Sequence, residues 1–183
     1  HYSLTTYDIR DYGLDNIHHQ VDDEPYGGGA GMIIRADVIG KAIDDIKTKN
    51  NIEKIYYPSP KGKLLTQQTI QASLGHENIL FISGRFEGID QRVIEKYNIE
   101  EFSIGDYILC GGDIAIMAFI EAAVRIIPGV IGKTASLNEE SFSPGSDFEH
   151  LLEYPQYTRP AVWGELEVPE ILLSGNHKKI ASF

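Results

Sequence analysis

The chain has 183 residues, enough for one domain with an appendage, and at that length about 70% of the unfolded surface is buried on folding. Hydrophobic residues make up 42% and charged residues 23%, the balance of a soluble globular protein and not of a disordered one, and no apolar run reaches the length of a membrane span. With 16 Lys plus Arg against 27 Asp plus Glu the formal net charge is −11, so a polyanionic partner would have to meet local basic charge or basic segments outside this chain.

Residues 2–9 alternate like a strand. The acidic and histidine-bearing stretch that follows, with Asp11, Asp15, His18, His19, Asp22 and Asp23, has no spacing that gathers its imidazoles with a third ligand, which favours a solvated loop over a metal cluster. Tyr26-Gly27-Gly28-Gly29-Ala30-Gly31 is too rich in glycine for a strand or helix and must be a loop. Glycine content alone favours a flexible turn over a ligand-facing loop by roughly two to one, and Met32 at the third glycine position excludes the dinucleotide fingerprint.

Val38, Ile39, Ala42, Ile43 and Ile46 follow helical spacing after Asp37, and Ile89, Val93, Ile94 and Tyr97 form a shorter set. Between and after them, strand-like runs occupy 52–57, 79–83, 99–104 and 107–110. Strands alternating with helices imply βαβ units: an α/β fold with a parallel sheet and helices on both faces. Residues 113–127 are almost all apolar, with Glu121 and Arg125 the charged exceptions, and stop at Pro128-Gly129. A helix so apolar must be covered on more than one side, in a deep core or at a subunit interface. Gly132-Lys133-Thr134 resembles the tail of a phosphate-binding loop but fails on spacing, because the earlier glycine would sit at Ile127. Residues 133–160 lose all periodicity and read as a linker; 161–183 read as the start of a second, helical domain. A single Cys110 rules out an internal disulfide, no secretory leader pattern stands at the first residues, and a reducing cytosol is the expected compartment.

Glycine-bearing turns follow successive apolar strands: Pro58-Ser59-Pro60-Lys61-Gly62, Gly84-Arg85-Phe86-Glu87-Gly88 and Ser103-Ile104-Gly105-Asp106-Tyr107, with Gly111-Gly112 close behind. Ligands of parallel α/β sheets sit beyond the carboxyl ends of the strands, so neighbouring turns of this kind can line one pocket. Glycine lets backbone groups approach a flat ring, and Tyr57, Ile104 and Leu109 could cover its faces. Each turn taken alone is better read as a plain connection.

Together, these strings resemble the bacterial tRNA (guanine-N1)-methyltransferases, knotted members of the SPOUT class. The resemblance runs through Val21-Asp22-Asp23-Glu24-Pro25-Tyr26-Gly27-Gly28-Gly29-Ala30-Gly31-Met32, the Gly84 to Asp90 and Ser103 to Tyr107 strings, Gly111-Gly112, Ile127-Pro128-Gly129-Val130, Tyr154-Pro155-Gln156-Tyr157-Thr158-Arg159-Pro160 and Leu173-Ser174-Gly175-Asn176-His177. It implies a deep trefoil knot in a cofactor domain at 1–132, an exception to the rule that chains do not thread loops, and a homodimer with the active site at the subunit interface. It implies S-adenosyl-L-methionine held by Tyr57, Pro58, Ser59, Pro60, Gly84, Phe86, Glu87, Gly88, Ser103, Ile104, Gly105, Tyr107, Leu109, Gly111 and Gly112. It implies methyl transfer to N1 of the guanine immediately 3′ of the anticodon in tRNA, with Glu140 as base where the family has Asp and Arg125 at O6. Arg85, Ser174, Asn176, His177, Lys178 and Lys179 are the implied RNA contacts, and residues 136–152 are expected to order on RNA. A magnesium requirement is implied without an evident ligand set. Relative to the family, roughly thirty residues, an N-terminal strand and helix, are expected before His1 and several tens after Phe183, an omission large for a compact domain. Phe86 stands where Tyr is common, and Cys110 where a small hydroxyl residue is usual. Two alternatives stay open: a knotted methyltransferase acting on another RNA, and an inactive RNA-binding relative.

Overall fold

The computed structural model describes residues 3–15, 17–130, 140–143, 145–146, 151–180 and 183. The chain divides into two units, His1–Leu137 and Asn138–Phe183.

The first unit is organised around one strand. β3 (Lys54–Leu64) lies between β4 (Ile79–Phe81) and β5 (Glu100–Ser103), parallel to both. Successive strand side chains point to opposite faces. Ile55 and Tyr57 therefore enter one core cluster, with Ile34, Ile39, Ile43, Ile89, Val93 and Ile99. Tyr56 enters the other, with Ile70, Phe102, Ala115, Phe119 and Ala123. Helices α1 (Ala36–Lys49) and α3 (Gln91–Tyr97) supply the first cluster; α2 (Gln67–Ser73) and α4 (Asp113–Arg125) supply the second. The sheet is covered on both faces, which explains why Ile55, Tyr56 and Tyr57 of β3 are buried one after another and not in alternation.

Local chemistry sets the helix ends. α1 carries Asp37 in its first turn and Lys47 and Lys49 in its last, both favourable to the helix dipole. Asp90 caps α3 by accepting from the Arg92 N–H at 2.9 Å, and Asn98 closes it in the left-handed region at φ 49°. α2, whose buried face is only Ile70 and Ser73, starts where Thr66 accepts from the Thr69 N–H at 3.2 Å. α4 turns Ala115, Phe119 and Ala123 inward at helical spacing and leaves Ile114 and Met117 60% and 64% exposed. Its apolarity is thus one core face plus one open face. The Phe119 ring lies 5.0 Å from those of Tyr56 and Phe81 and 5.2 Å from that of Phe102, in tilted and edge-on geometries that favour ring pairs.

Some expectations need correction. Residues 3–8 form no strand; a 3-10 helix at Ile9–Tyr12 follows them, capped by Asp8. Of the alternating residues Tyr7 accepts from Asn50, the cap of α1, at 3.2 Å, and Tyr12 at the end of the 3-10 helix donates to Asp45 of α1 at 2.6 Å. A strand needs a neighbour to ladder with, and this segment packs on a helix instead. Residues 107–110 are irregular, with bends at Tyr107 and Cys110, and not a strand, for they follow Gly105 at φ 151° and have no paired strand beside them. Two short antiparallel strands, β1 (Asp22–Asp23) and β2 (Ile33–Ile34), flank the Tyr26 to Gly31 string instead of leaving it an isolated loop.

In the second unit, β6 (Val162–Trp163) and β7 (Leu166–Glu167) make a hairpin through Gly164 at φ 65°, followed by α5 (Glu170–Leu173) and α6 (His177–Ile180). A two-residue loop opening on glycine matches hairpin twist, but strands this short leave no readable alternation. Of the linker reading, residues 133–139, 144 and 147–150 lie outside the described residues, as do Gly132-Lys133-Thr134 and most of 136–152. Among the described residues no helix is long and apolar enough to cross a membrane.

Candidate functional site

Four segments of the first unit converge at the carboxyl end of the sheet. The first was expected as a turn after Tyr57 and is a bulge inside β3. Phe102 of β5 pairs with both Pro58 and Lys63, so the residues between them are extruded from the ladder. Pro58 and Pro60 cannot donate to a ladder, which makes this the place where a central strand tolerates them. Gly62 packs its Cα against the backbone of Glu101 and Phe102, with no room for a Cβ.

The second segment is the turn after β4. A Cβ at Gly84 would lie 2.7 Å from Cε2 of Tyr57, and one at Gly88 2.9 Å from the Tyr57 hydroxyl oxygen. Tyr57 is buried, so its ring cannot swing aside. Burial, and then the charge of Glu101, pushes the Tyr57 phenol above its ordinary value, keeping it neutral at physiological pH: a wall, not an acid–base group. The third segment is closed by Ser103, whose Oγ accepts from the Gly105 N–H at 3.2 Å and donates to the Gly105 carbonyl at 3.1 Å. The fourth, at the start of α4, is pinned to the others: the Gly112 N–H donates to the Gly84 carbonyl at 3.0 Å, and a Cβ at Gly112 would lie 2.7 Å from Cγ of Pro58.

These segments enclose a cavity of about 220 Å³, and every residue expected from the sequence to hold the cofactor lines it. Arg85 lines it too, its guanidinium 3.7 Å from Asp113, which accepts from the Ser83 hydroxyl at 2.6 Å. Lys61, Gln91, Ile94, Glu101, Ile108 and Cys110 also line it and were not singled out for this site. Lys61, Ile108 and Cys110 adjoin or interrupt the glycine strings and could have been found by continuity. Gln91 and Ile94 of α3 and Glu101 of β5 arrive through packing, which leaves no trace in spacing.

The family model described as tRNA (Guanine-1)-methyltransferase TrmD matches residues 1–183. The chain belongs to this family. It is 55% identical over 180 residues to the tRNA (guanine-N(1)-)-methyltransferase of Ehrlichia canis (strain Jake), covering 98% of this chain and 74% of that protein. It is 48% identical over 179 residues to the enzymes of the same name from Anaplasma phagocytophilum (strain HZ), at 98% and 74% coverage, and Rickettsia akari (strain Hartford), at 98% and 76%.

The remaining residues that membership in the tRNA (guanine-1)-methyltransferase family brings into question are not among those lining the cavity. Arg125 is half-buried in the last turn of α4. Gly112, at the other end of that helix, lines the cavity, and 13 residues at 1.5 Å rise put Arg125 about 20 Å further along the axis. Glu140 belongs to the second unit, where its carbonyl accepts from the Ser143 N–H at 3.2 Å in a turn tied down by Phe142 N–H to Leu151 carbonyl at 3.3 Å and Glu153 N–H to Ser141 Oγ at 2.9 Å. Ser174 donates to the Ile171 carbonyl at 2.6 Å and Asn176 accepts from the Lys179 N–H at 3.3 Å, so both side chains are engaged as helix caps. His177, Lys178 and Lys179 are exposed on α6, whose four residues are too few for a useful dipole. Among the described residues no group of three His, Cys, Asp or Glu side chains could hold a metal ion. Asp23, drawn from the acidic stretch, is paired with Arg35 at 2.7 Å.

Proposed function

We propose that this protein transfers a methyl group from S-adenosyl-L-methionine to N1 of the guanine immediately 3′ of the anticodon in tRNA. The observation that carries the reading is the convergence of the bulge, the two glycine turns and the Gly111-Gly112 segment on one cavity, in a chain of this family. The cavity suits the cofactor: Tyr57, Ile104 and Leu109 offer apolar walls to adenine, Gly84, Gly88, Gly105 and Gly112 let the surrounding segments close onto Tyr57, Tyr107 and Pro58 to form it, and Ser59 and Glu87 supply polar groups. When bound, the cofactor supplies a methyl made electrophilic by its sulfonium, so only the acceptor needs activation.

N1 of guanine carries a proton at neutral pH. Glu140, as general base, takes it; Arg125 meets the charge that builds on O6. Arg125 stands about 15 Å along α4 from Ala115, the last residue of that helix on the cavity wall, which supports a homodimer in which the Arg125 and Glu140 of one copy serve the cavity of the other. The open face of α4, with Ile114 and Met117, and the exposed Ile108 beside it offer the apolar surface such a partner needs. A deep trefoil knot is part of the proposal and rests on membership in the family. So is the division into a cofactor domain at 1–132, a linker at 133–160 and the start of a helical tRNA-binding domain at 161–183, working in the cytoplasm, where tRNA is met by Arg85 and by Ser174, Asn176, His177, Lys178 and Lys179.

The test is methyl transfer by the full-length protein to two tRNA transcripts, one with guanine after the anticodon and one with adenine. Only the first should be labelled; equal labelling of both, or of neither, overturns the reading. A second expectation concerns the cavity. Gly84→Ala drives a Cβ into the buried Tyr57 ring, an overpacking that costs about 1–3 kcal/mol of stability, and weakens cofactor binding by at least about tenfold in calorimetry. Unchanged affinity in a folded Gly84→Ala protein would remove this turn from the site.

A further inference from the structure

The Tyr26–Gly31 string is a conspicuous motif of the first unit that does not line the cavity. Its glycines are all left-handed: φ is 91° at Gly27, 79° at Gly28, 126° at Gly29 and 91° at Gly31. Backbone strain alone would make them equivalent. Their surroundings do not. A Cβ at Gly27 or Gly28 meets nothing within 4 Å, whereas one at Gly31 would lie 2.5 Å from Cγ of Glu87, 2.7 Å from its Oε1 and 3.0 Å from its Cδ.

That closeness is built in. The chain just after Gly31 is laddered to the second cavity turn: the Glu87 N–H donates to the Met32 carbonyl at 3.0 Å, the Ile34 N–H to the Gly88 carbonyl at 2.9 Å, and the Asp90 N–H to the Ile34 carbonyl at 3.2 Å. Ile34 and Ile89, which form a parallel bridge, are both buried. Glu87 therefore cannot retreat by shifting its backbone. Its side chain lies across the bare Cα of Gly31 and on the wall of the cavity.

We infer that Gly31 is a positioning residue for the cofactor: it leaves open the space in which the Glu87 carboxylate is held against the cavity. This rests on the reading of the cavity as the S-adenosylmethionine site. A carboxylate there can accept from ribose hydroxyls or pair with the amino group, and a charge-assisted hydrogen bond is the kind whose geometry matters most. A methyl group at position 31 pushes the carboxylate out of place without touching the ligand.

Gly27 and Gly31 share the same φ, so they separate strain from displacement. S-adenosylmethionine affinity is measured by calorimetry, and melting temperature alongside, for the full-length protein and for Gly31→Ala, Gly27→Ala, Glu87→Ala and Gly31→Ala/Glu87→Ala. Gly31→Ala and Glu87→Ala should each weaken binding about tenfold, the worth of one charge-assisted bond. The double variant should bind within about twofold of Glu87→Ala, because the displaced group is already gone. Gly27→Ala should melt lower, as any alanine at that φ must, yet bind within about twofold of the unaltered protein.

Equal weakening by Gly27→Ala and Gly31→Ala would overturn the inference in favour of strain. So would additive losses in the double variant, or normal binding by Glu87→Ala. Where Gly31→Ala fails to fold, the double variant should fold, since the three atoms nearest its Cβ are then gone and only the strain it shares with Gly27→Ala is left; failure of both overturns the inference as well. Absence of binding by the unaltered protein would instead bring down the reading of the cavity, and this inference with it.

Discussion

Glu140→Ala and Arg125→Ala are each expected to cut turnover by two orders of magnitude or more while leaving S-adenosylmethionine affinity nearly unchanged. A positioned general base contributes about 10²–10⁴-fold, and removal of a fixed group that meets developing charge costs about 10²–10³-fold. Neither residue lines the cavity, so neither substitution should disturb cofactor binding. Single-turnover methyl transfer to a guanine-bearing tRNA transcript, with calorimetric titration of the cofactor, reads both quantities. Loss of cofactor affinity in either variant would reassign that residue from the acceptor to the donor. If the two groups serve the cavity of a second copy, mixing Arg125→Ala protein with a Gly84→Ala protein should restore activity in the hybrid dimers that carry one intact cavity with its intact acceptor groups. No recovery on mixing, with exchange of copies verified, would place all the groups in one copy.

The second large effect is on stability. Phe119→Ala removes the ring at the centre of the second core cluster, where it touches Tyr56, Phe81 and Phe102 at centroid distances of 5.0–5.2 Å. Truncating a buried phenylalanine costs about 3–5 kcal/mol, and at this chain length each kcal/mol lowers the melting temperature by about 2–4 °C. Calorimetric unfolding should show that drop. Cofactor binding should weaken with it, because Phe102, which sets the register of the β3 bulge, packs directly on Phe119. A melting temperature within about 2 °C of the unaltered protein would show that the cluster repacks around the gap.

The cavity was legible in the sequence to an unusual extent, and the reason is steric. Gly84, Gly88 and Gly112 stand where a Cβ would enter Tyr57 or Pro58, and Pro58 and Pro60 stand where a strand must break its ladder. Such demands can be met by few residue types, so they leave strings that can be read without coordinates. Tyr107, Ile108 and Leu109 show the opposite case. Their composition suits a strand, and they are irregular chain on the cavity wall, because no neighbouring strand is there to pair with. Residues 3–8 fail in the same way, their alternation serving α1 in place of a sheet.

What the sequence determined by itself was the α/β class and the buried face of α1, which depend on local periodicity, together with the family and the membership of the cavity, which were carried by the resemblance of whole glycine- and proline-bearing strings. What only the tertiary structure decided was which connection was a turn and which a bulge, which face of α4 stays open, and that Gly31 lies against Glu87 while Gly27, at the same φ, lies against nothing. Those are contacts between segments tens of residues apart. Spacing along a chain carries no information about them until the sheet has brought the segments together.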